Sequence, residues 1–385
     1  MNVVLLSPYF PSNYYNFAVA LRQLGVNVLA IGDASYDELR PELREALTEY
    51  YRVADLHDYE NLLRACGHFI HRYGRLHRIE SHNEYWLETD ARLRTDFNVF
   101  GPKQDEMAQV KFKSRMKAVF AEAGIDVARG EVVRTPEAAD AFIAEVGYPV
   151  VAKPDNGVGA AATYKIANAE DLARFFAEKP PLDYFMEAFI SGELFSFDGL
   201  VDRRGEIVFY TSHFFNRGIM EVVNEGLDMF YYSLRELPHD LEEVGRRTVA
   251  AFGLRERFFH IEFFRSDGRL IALELNMRPP GGLTMDMFNY ANDIDLYEAW
   301  ANLVAHDRFE SKYDRPYHCA YVGRKWHRSY CVSHEQVLRD YPELLVHHEP
   351  INPVLAPAIG EYGYLLRSPH LEALKSAVDE VVALC

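Results

Sequence analysis

The chain has 385 residues, which at about 150 residues per domain divides into two or three domains. Hydrophobic residues make up 49% and charged residues 26%, the balance of an ordinary globular protein, which excludes long disorder and fibrous repeats. A formal net charge of −17 repels phosphate backbones and anionic lipid, so nucleic acid and membrane surfaces are excluded as broad partners and any cationic chemistry must be confined to a pocket.

The opening Met1-Asn-Val-Val-Leu-Leu-Ser-Pro8 lacks the basic segment of a secretory signal, and no run is apolar for the length of a membrane helix. Cys66, Cys319, Cys331 and Cys385 show no C-x-x-C spacing, so they read as idle thiols in a reducing cytoplasm rather than as a zinc site. Val3 to Leu6 predicts a strand, Asn16 to Leu24 a helix and Val26 to Ile31 a second strand, a βαβ opening. The connecting loop Ser7–Asn16 has prolines and tyrosines but no glycine, so a dinucleotide-binding turn is disfavoured. Asp58 to Tyr73 reads as a helix, Leu76 to Ser81 as a strand end, and Gly101-Pro102 as a domain boundary.

One helix is expected from Gln104 to Ala123, closed by Gly124, with Lys113 and Lys117 one turn apart on the same side. Gly130 to Arg134 reads as a strand, Pro136 to Val146 as a helix capped by Thr135, and Tyr148 to Pro154 as a strand running into a loop with Gly157 and Gly159. Tyr184 to Phe215 is strand-rich, Leu241 to Phe252 helical, and Asp267-Gly268 turns a hairpin. Leu371 to Leu384 is an amphipathic closing helix.

The hairpin is the strongest chemical signal. Glu274 and Asn276 lie two apart on one strand and face one side, with Glu262 across the turn and Leu273 and Leu275 expected to bury the opposite side. Two carboxylates and an amide oxygen are hard ligands suited to Mg²⁺ held with phosphates. Lys153 ends an apolar strand just before the glycine loop, where an ammonium and loop amides can meet phosphate oxygens. Each motif has a bland reading, as a polar hairpin face, a common Lys-Pro turn or a surface lysine at 113. Their order along the chain favours the nucleotide reading.

That ordered set resembles the ATP-grasp superfamily, in its branch of carboxylate–amine ligases with amino-acid ligases and biotin carboxylases among its members. The resemblance implies an α/β (α+β) ATP-grasp fold with an N-terminal βαβ domain over 1–101, a linker helix and nucleotide lid over 102–190, and a catalytic domain over 191–385. It implies that Lys113 and Lys153 hold nucleotide phosphates, with Gly157 and Gly159 in the loop covering them. Glu187 and the backbone of Ala188 and Ile190 would meet adenine, and Glu193 the ribose. Glu262, Glu274 and Asn276 would bind Mg²⁺, or Mn²⁺ in its place. Arg278 would orient an acyl phosphate, with His213 and Arg217 approaching the reacting groups. Ala160, Ala161 and Ala162 stand where many members have serines, and Met277 replaces a frequent proline.

The reaction implied is ADP-forming amide synthesis from a small carboxylic acid and an amine, an amino acid being the expected amine, by a cytoplasmic enzyme for which a homodimer is one assembly considered. The tail Arg278-Pro-Pro-Gly-Gly282 resembles the amino-acid ligase branch. An ATP-dependent carboxylase using bicarbonate and a nucleotide-binding regulator without turnover are the alternatives. Glu84, after an N-domain strand, reads either as a holder of an ammonium group or as a lone exposed acid.

Overall fold

The computed structural model describes residues 1–157 and 162–385; the expected loop glycine Gly159, with Ala160 and Ala161, lies outside the described residues. Three sheets follow one another along the chain. The first holds β1 (Asn2–Leu6), β2 (Asn27–Gly32), β3 (Glu49–Arg52) and β4 (Arg78–Glu80), all parallel in the order β3-β2-β1-β4. Its central strands are continuous apolar runs because helices cover both faces, as parallel sheets require. Asp58 opens the helix Tyr59–Tyr73 by accepting from the amides of Glu60 and Asn61.

The second sheet is antiparallel, with β5 (Gly130–Val133), β6 (Val150–Pro154), β7 (Tyr164–Ile166) and β8 (Tyr184–Ala188) in the order β5-β8-β6-β7. The helix Pro136–Val146 starts where expected, with Thr135 accepting from the amide of Ala138. The third sheet comprises β9 (Glu193–Val201), β10 (Ile207–Phe215), β11 (Phe230–Ser233), β12 (Arg257–Ser266), β13 (Arg269–Asn276), β14 (His318–Arg324), β15 (Leu345–Pro350) and β16 (Tyr362–Ser368). Their order is β13-β12-β9-β10-β11-β14-β16-β15. This mixed α/β architecture places the acidic hairpin β12–β13 at one edge of the third sheet.

The first sheet does not stand apart from the third. Its helix Tyr15–Gln23 packs on the helix Leu296–His306, with Phe17 set among Tyr297, Trp300 and Phe258. Buried ion pairs join the same two bodies: Arg257 donates to both oxygens of Glu80 at 2.8 and 2.9 Å, and Arg78 holds Glu256 through two nitrogens. Arg94 also donates to Glu80, at 2.8 Å, so this acid is shared by two guanidinium groups.

Four expectations are corrected. The single helix over 104–123 is broken at Phe112, which is extended and bridges Asn156, so Ala108–Lys111 and Lys113–Glu122 are separate helices. A bulge between Glu262 and Phe263 shifts the register of β13, so Leu275 is buried behind the hairpin but Leu273 turns toward the front. Cys331 and Cys385 form a disulfide, because Tyr330 and Leu384 pair as an antiparallel bridge that sets the neighbouring cysteines side by side; Cys66 and Cys319 are free and buried. The argument for a reducing compartment from idle thiols therefore fails. Glu84 is not a lone exposed acid either, since its side chain is 14% exposed and paired with Arg278. Among the described residues, no helix is long and apolar enough to cross a membrane.

Helix His239–Ala251 approaches β9 so closely that a Cβ on Gly245 would meet the ring of Phe197, itself stacked on Phe259. Gly245→Ala should therefore lower unfolding free energy by about 1–3 kcal/mol through overpacking, despite the better helix propensity of alanine. Urea denaturation of the two proteins measures the difference.

Candidate functional site

The second sheet faces the β12–β13 hairpin across a cavity of about 340 Å³, within the range of small-molecule sites. One wall comes from Val151 and Lys153 of β6 and from Glu187 to Glu193, where the chain leaves β8 for β9. The other comes from Glu262 and Phe264 of β12 and Ile271 to Glu274 of β13. Lys113 and Lys117, on one face of the helix Lys113–Glu122, close one side. Asn216 to Glu221, leading into the short helix Ile219–Glu225, close the other. Apolar side chains such as Val151, Phe264, Ile271 and Leu273 share this lining with the lysines and acids.

Within the cavity the charges are already organised. Lys153 Nζ lies 2.5 Å from Glu187 Oε1, and Lys117 Nζ lies 3.1 Å from Oε2 of the same carboxylate. Lys117 also donates to the carbonyl of Ala272 at 2.9 Å, tying the second sheet to the hairpin. Burial opposes charge on Glu187, but Lys117 and Lys153 outweigh it and pull its pKa down to about 2. Burial likewise opposes the Lys153 ammonium, which Glu187 and Glu274 hold above its ordinary range. Lys113 is set by its neighbours across the cleft: its amide donates to Asp155 O at 2.8 Å, its Nζ to Gly157 O at 3.3 Å, and Asp155 in turn caps Ser114.

Glu262 and Glu274, expected to come close across the hairpin, are register partners because the bulge beside Phe263 shifts β13 by one residue. Asn276 Nδ2 donates to Glu274 Oε1 at 3.2 Å, and His260 Nε2 lies 3.1 Å from Glu262 Oε1. Burial raises the Glu274 pKa, but Lys113 and Lys153 first, then His260 and Arg278, bring it below the usual carboxylate range. Among the described residues no three His, Cys, Asp or Glu side chains form a metal cage. Two carboxylates and an amide nevertheless fit a hard cation that takes its remaining ligands from phosphate and water, as Mg²⁺ does.

The remaining expected residues divide. Ala188, Ile190, Glu193 and Arg217 line the cavity, and Gly157 touches it through Lys113. Arg278 lies beyond the hairpin at the N-domain side, where its Nη2 donates to Glu84 Oε2 at 2.5 Å. His213 is fully buried inside the third sheet, stacked on Phe288, with Nδ1 2.8 Å from Asp198. Asp198 joins it to His260 at 2.5 Å, so His213 reaches Glu262 only through a chain of buried side chains. Sequence reasoning missed Lys117 as a cavity residue although its one-turn spacing from Lys113 was visible, and it missed Leu273 because a bulge leaves no mark in a hydropathy pattern.

Residues 146–286, which include β6, β8 and the whole hairpin, match the ATP-grasp domain family. The chain carries an ATP-grasp domain. An L-arginine-specific L-amino acid ligase from Bacillus subtilis is 25% identical over 244 residues, 61% of this chain and 59% of that protein. The carbamoyl phosphate synthase large chain of Neisseria meningitidis is 22% identical over 301 residues, 75% of this chain and 27% of its own. The chain thus spans less than two thirds of the length of these curated relatives. In structure it is similar to an L-amino acid ligase from Bacillus licheniformis, with a TM-score of 0.76 at 15% identity over 99% of this chain and 96% of the other. That likeness of fold covers all three sheets.

Glu187→Gln should leave Lys117 and Lys153 facing a neutral amide and lower unfolding free energy at pH 7 by about 3–5 kcal/mol. Because the native carboxylate titrates lower than the unfolded one, its stabilisation is complete above about 4.5 and is lost as pH falls toward about 2. The gap between the two proteins in chemical denaturation should narrow over that window.

Proposed function

We propose that the chain is an ATP-dependent carboxylate–amine ligase, forming an amide through an acylphosphate with release of ADP and phosphate. The observation that carries this reading is one cavity in which the phosphate-type cations Lys113 and Lys153 face the register-paired acids Glu262 and Glu274. Lys153 and Lys113 neutralise the nucleotide phosphates and hold the chain of charges in line. Glu262, Glu274 and Asn276 would hold Mg²⁺, which when bound would supply positive charge against the phosphates. The apolar strip from Val151 to Leu273 and the backbone of Ala188 and Ile190 receive adenine, with Glu193 at the ribose.

In the first step an oxygen of the substrate carboxylate attacks the γ-phosphorus, the bond to the β-bridging oxygen breaks, and ADP leaves with the electron pair. The amine nitrogen then attacks the acyl carbon, the carbon–oxygen bond to phosphate breaks, and the amine loses a proton. Phosphorylation serves because a carboxylate oxygen is a poor leaving group and phosphate is a good one. Arg278, beyond the hairpin on the N-domain side, would orient the acyl phosphate, and Arg217 lines the cavity just before the helix Ile219–Glu225. His213 acts at a distance, through Asp198 and His260, on the orientation of Glu262.

With MgATP, hydroxylamine and a panel of small carboxylic and amino acids, the wild-type protein should yield a hydroxamate and ADP in equal amounts. Bicarbonate-dependent ADP release with no organic acid would favour the carboxylase reading, and AMP with pyrophosphate would remove the acylphosphate. Lys153→Met should lower kcat by about 10²–10³ and Glu274→Ala at least as much. Near-normal turnover of Glu274→Ala in the ADP assay would remove the metal assignment.

A further inference from the structure

Arg278 has a partner where the ligase reading needs a free guanidinium. Its Nη2 donates to Glu84 Oε2 at 2.5 Å, and its Nη1 is spent on the carbonyl of Pro279 at 2.9 Å. Glu84 belongs to the first sheet's side of the cleft, on the turn that follows β4. That turn is held from both ends. Ser81 donates to the carbonyl of Asn83, and Asn83 accepts from the amide of Tyr85. The ammonium of Lys111, a lysine only 6% exposed, lies 3.5 Å from the carbonyl of Glu84. Lys111 has no carboxylate within ion-pair distance among the described residues, so its contact with the turn is the polar contact that fixes it.

An interdomain ion pair can serve as a structural latch, but that duty is discharged elsewhere. Arg78–Glu256 and Arg257–Glu80 join the same two bodies through two bonds each, with side chains no more than 10% exposed. The Glu84–Arg278 pair has one bond and is the wetter of the three, with side chains 14% and 16% exposed. Water and small solutes therefore reach it. A side-chain carboxylate on a guanidinium fork has the same atoms and charge as a substrate carboxylate on that fork.

We propose that Glu84 is a coupling gate, its carboxylate occupying on Arg278 the place of the substrate's carboxylate until an acid displaces it. The proposal rests on the ligase reading of the cleft. With no acid bound, the Arg278 charge is neutralised and is not offered to the γ-phosphoryl group. Attack by water, in which a new oxygen–phosphorus bond forms, the β-bridging bond breaks and a proton goes to solvent, then lacks that stabilisation. When an acid arrives, its carboxylate takes the guanidinium, Glu84 turns outward, and the acid oxygen is the nucleophile in line. Glu84 thus selects carboxylates over water, and Lys111 positions it.

The test uses the full chain with Glu84→Gln, Glu84→Ala and Lys111→Met. ADP release is measured with MgATP alone, then with hydroxylamine and whichever acid of the panel gives wild-type hydroxamate. Acid-free ADP release should rise about ten- to a hundredfold in both Glu84 variants, the worth of one charge-assisted bond, and by less in Lys111→Met. The KM for the acid should fall, and ADP should exceed hydroxamate. Acid-free release at the wild-type rate overturns the gate, as does a raised KM for the acid, which would make Glu84 a direct substrate ligand. Thermal unfolding of the variants should match wild type; failure of all three to fold would make the pair a latch and also overturn the proposal. If wild type gives no hydroxamate with any acid, the ligase reading falls, whereas the comparison of acid-free ADP release still decides the gate.

Discussion

The carboxylate of Glu187 is the constraint on which the cleft depends. Two lysines from different elements, Lys117 on a helix and Lys153 on β6, are buried in one cavity and repel each other. Without an acid between them neither could stay charged, and the polar half of the cavity would collapse or flood. Glu187 sits at the end of β8, so the same strand that forms the apolar wall supplies the counter-charge. Lys117 then passes the connection on to the carbonyl of Ala272 in β13. One acid therefore sets the distance between the second sheet and the hairpin, and the third cation, Lys113, takes its place against both.

The hairpin imposes the second constraint, through register. The Asp267-Gly268 turn, with both residues at positive φ, sets the register as far as Phe263 and Ala272, and the bulge beyond it brings Glu274 rather than Leu273 opposite Glu262. The bulge then rotates Leu273 into the cavity beside Glu274, so an apolar contact and a carboxylate come from adjacent residues of one strand. Behind them, Asp198 holds His260 and His213 at once and keeps Glu262 from turning away. Burial opposes a charge on His260, but Asp198 and Glu262 push its pKa up to about 10, so it donates from both nitrogens across the neutral range.

Local patterns made much of this legible in the sequence. The βαβ opening, the Thr135 cap, the lysine at the end of β6 and the acidic hairpin all depend on alternation, helical spacing or turn residues within a short window. What stayed hidden depends on distant partners. Phe112 breaks a helix because it bridges Asn156, Glu84 loses its freedom to an arginine 194 residues away, and Cys331 finds Cys385 only through a bridge between their neighbours. The strands β14 to β16 and the helix Leu296–His306 also went unread, although Gly360, at positive φ, closes the short helix Ala356–Ile359 just before β16.

The packing of helix Tyr15–Gln23 on helix Leu296–His306 bears on how the molecule is made. The face presented by Phe17 is not fully covered until Tyr297 and Trp300 have left the ribosome. The first sheet can pair its strands early, yet it waits with one helix exposed through the synthesis of most of the chain. The N-domain thus reaches its final packing only in a late event, after most of the chain has been made.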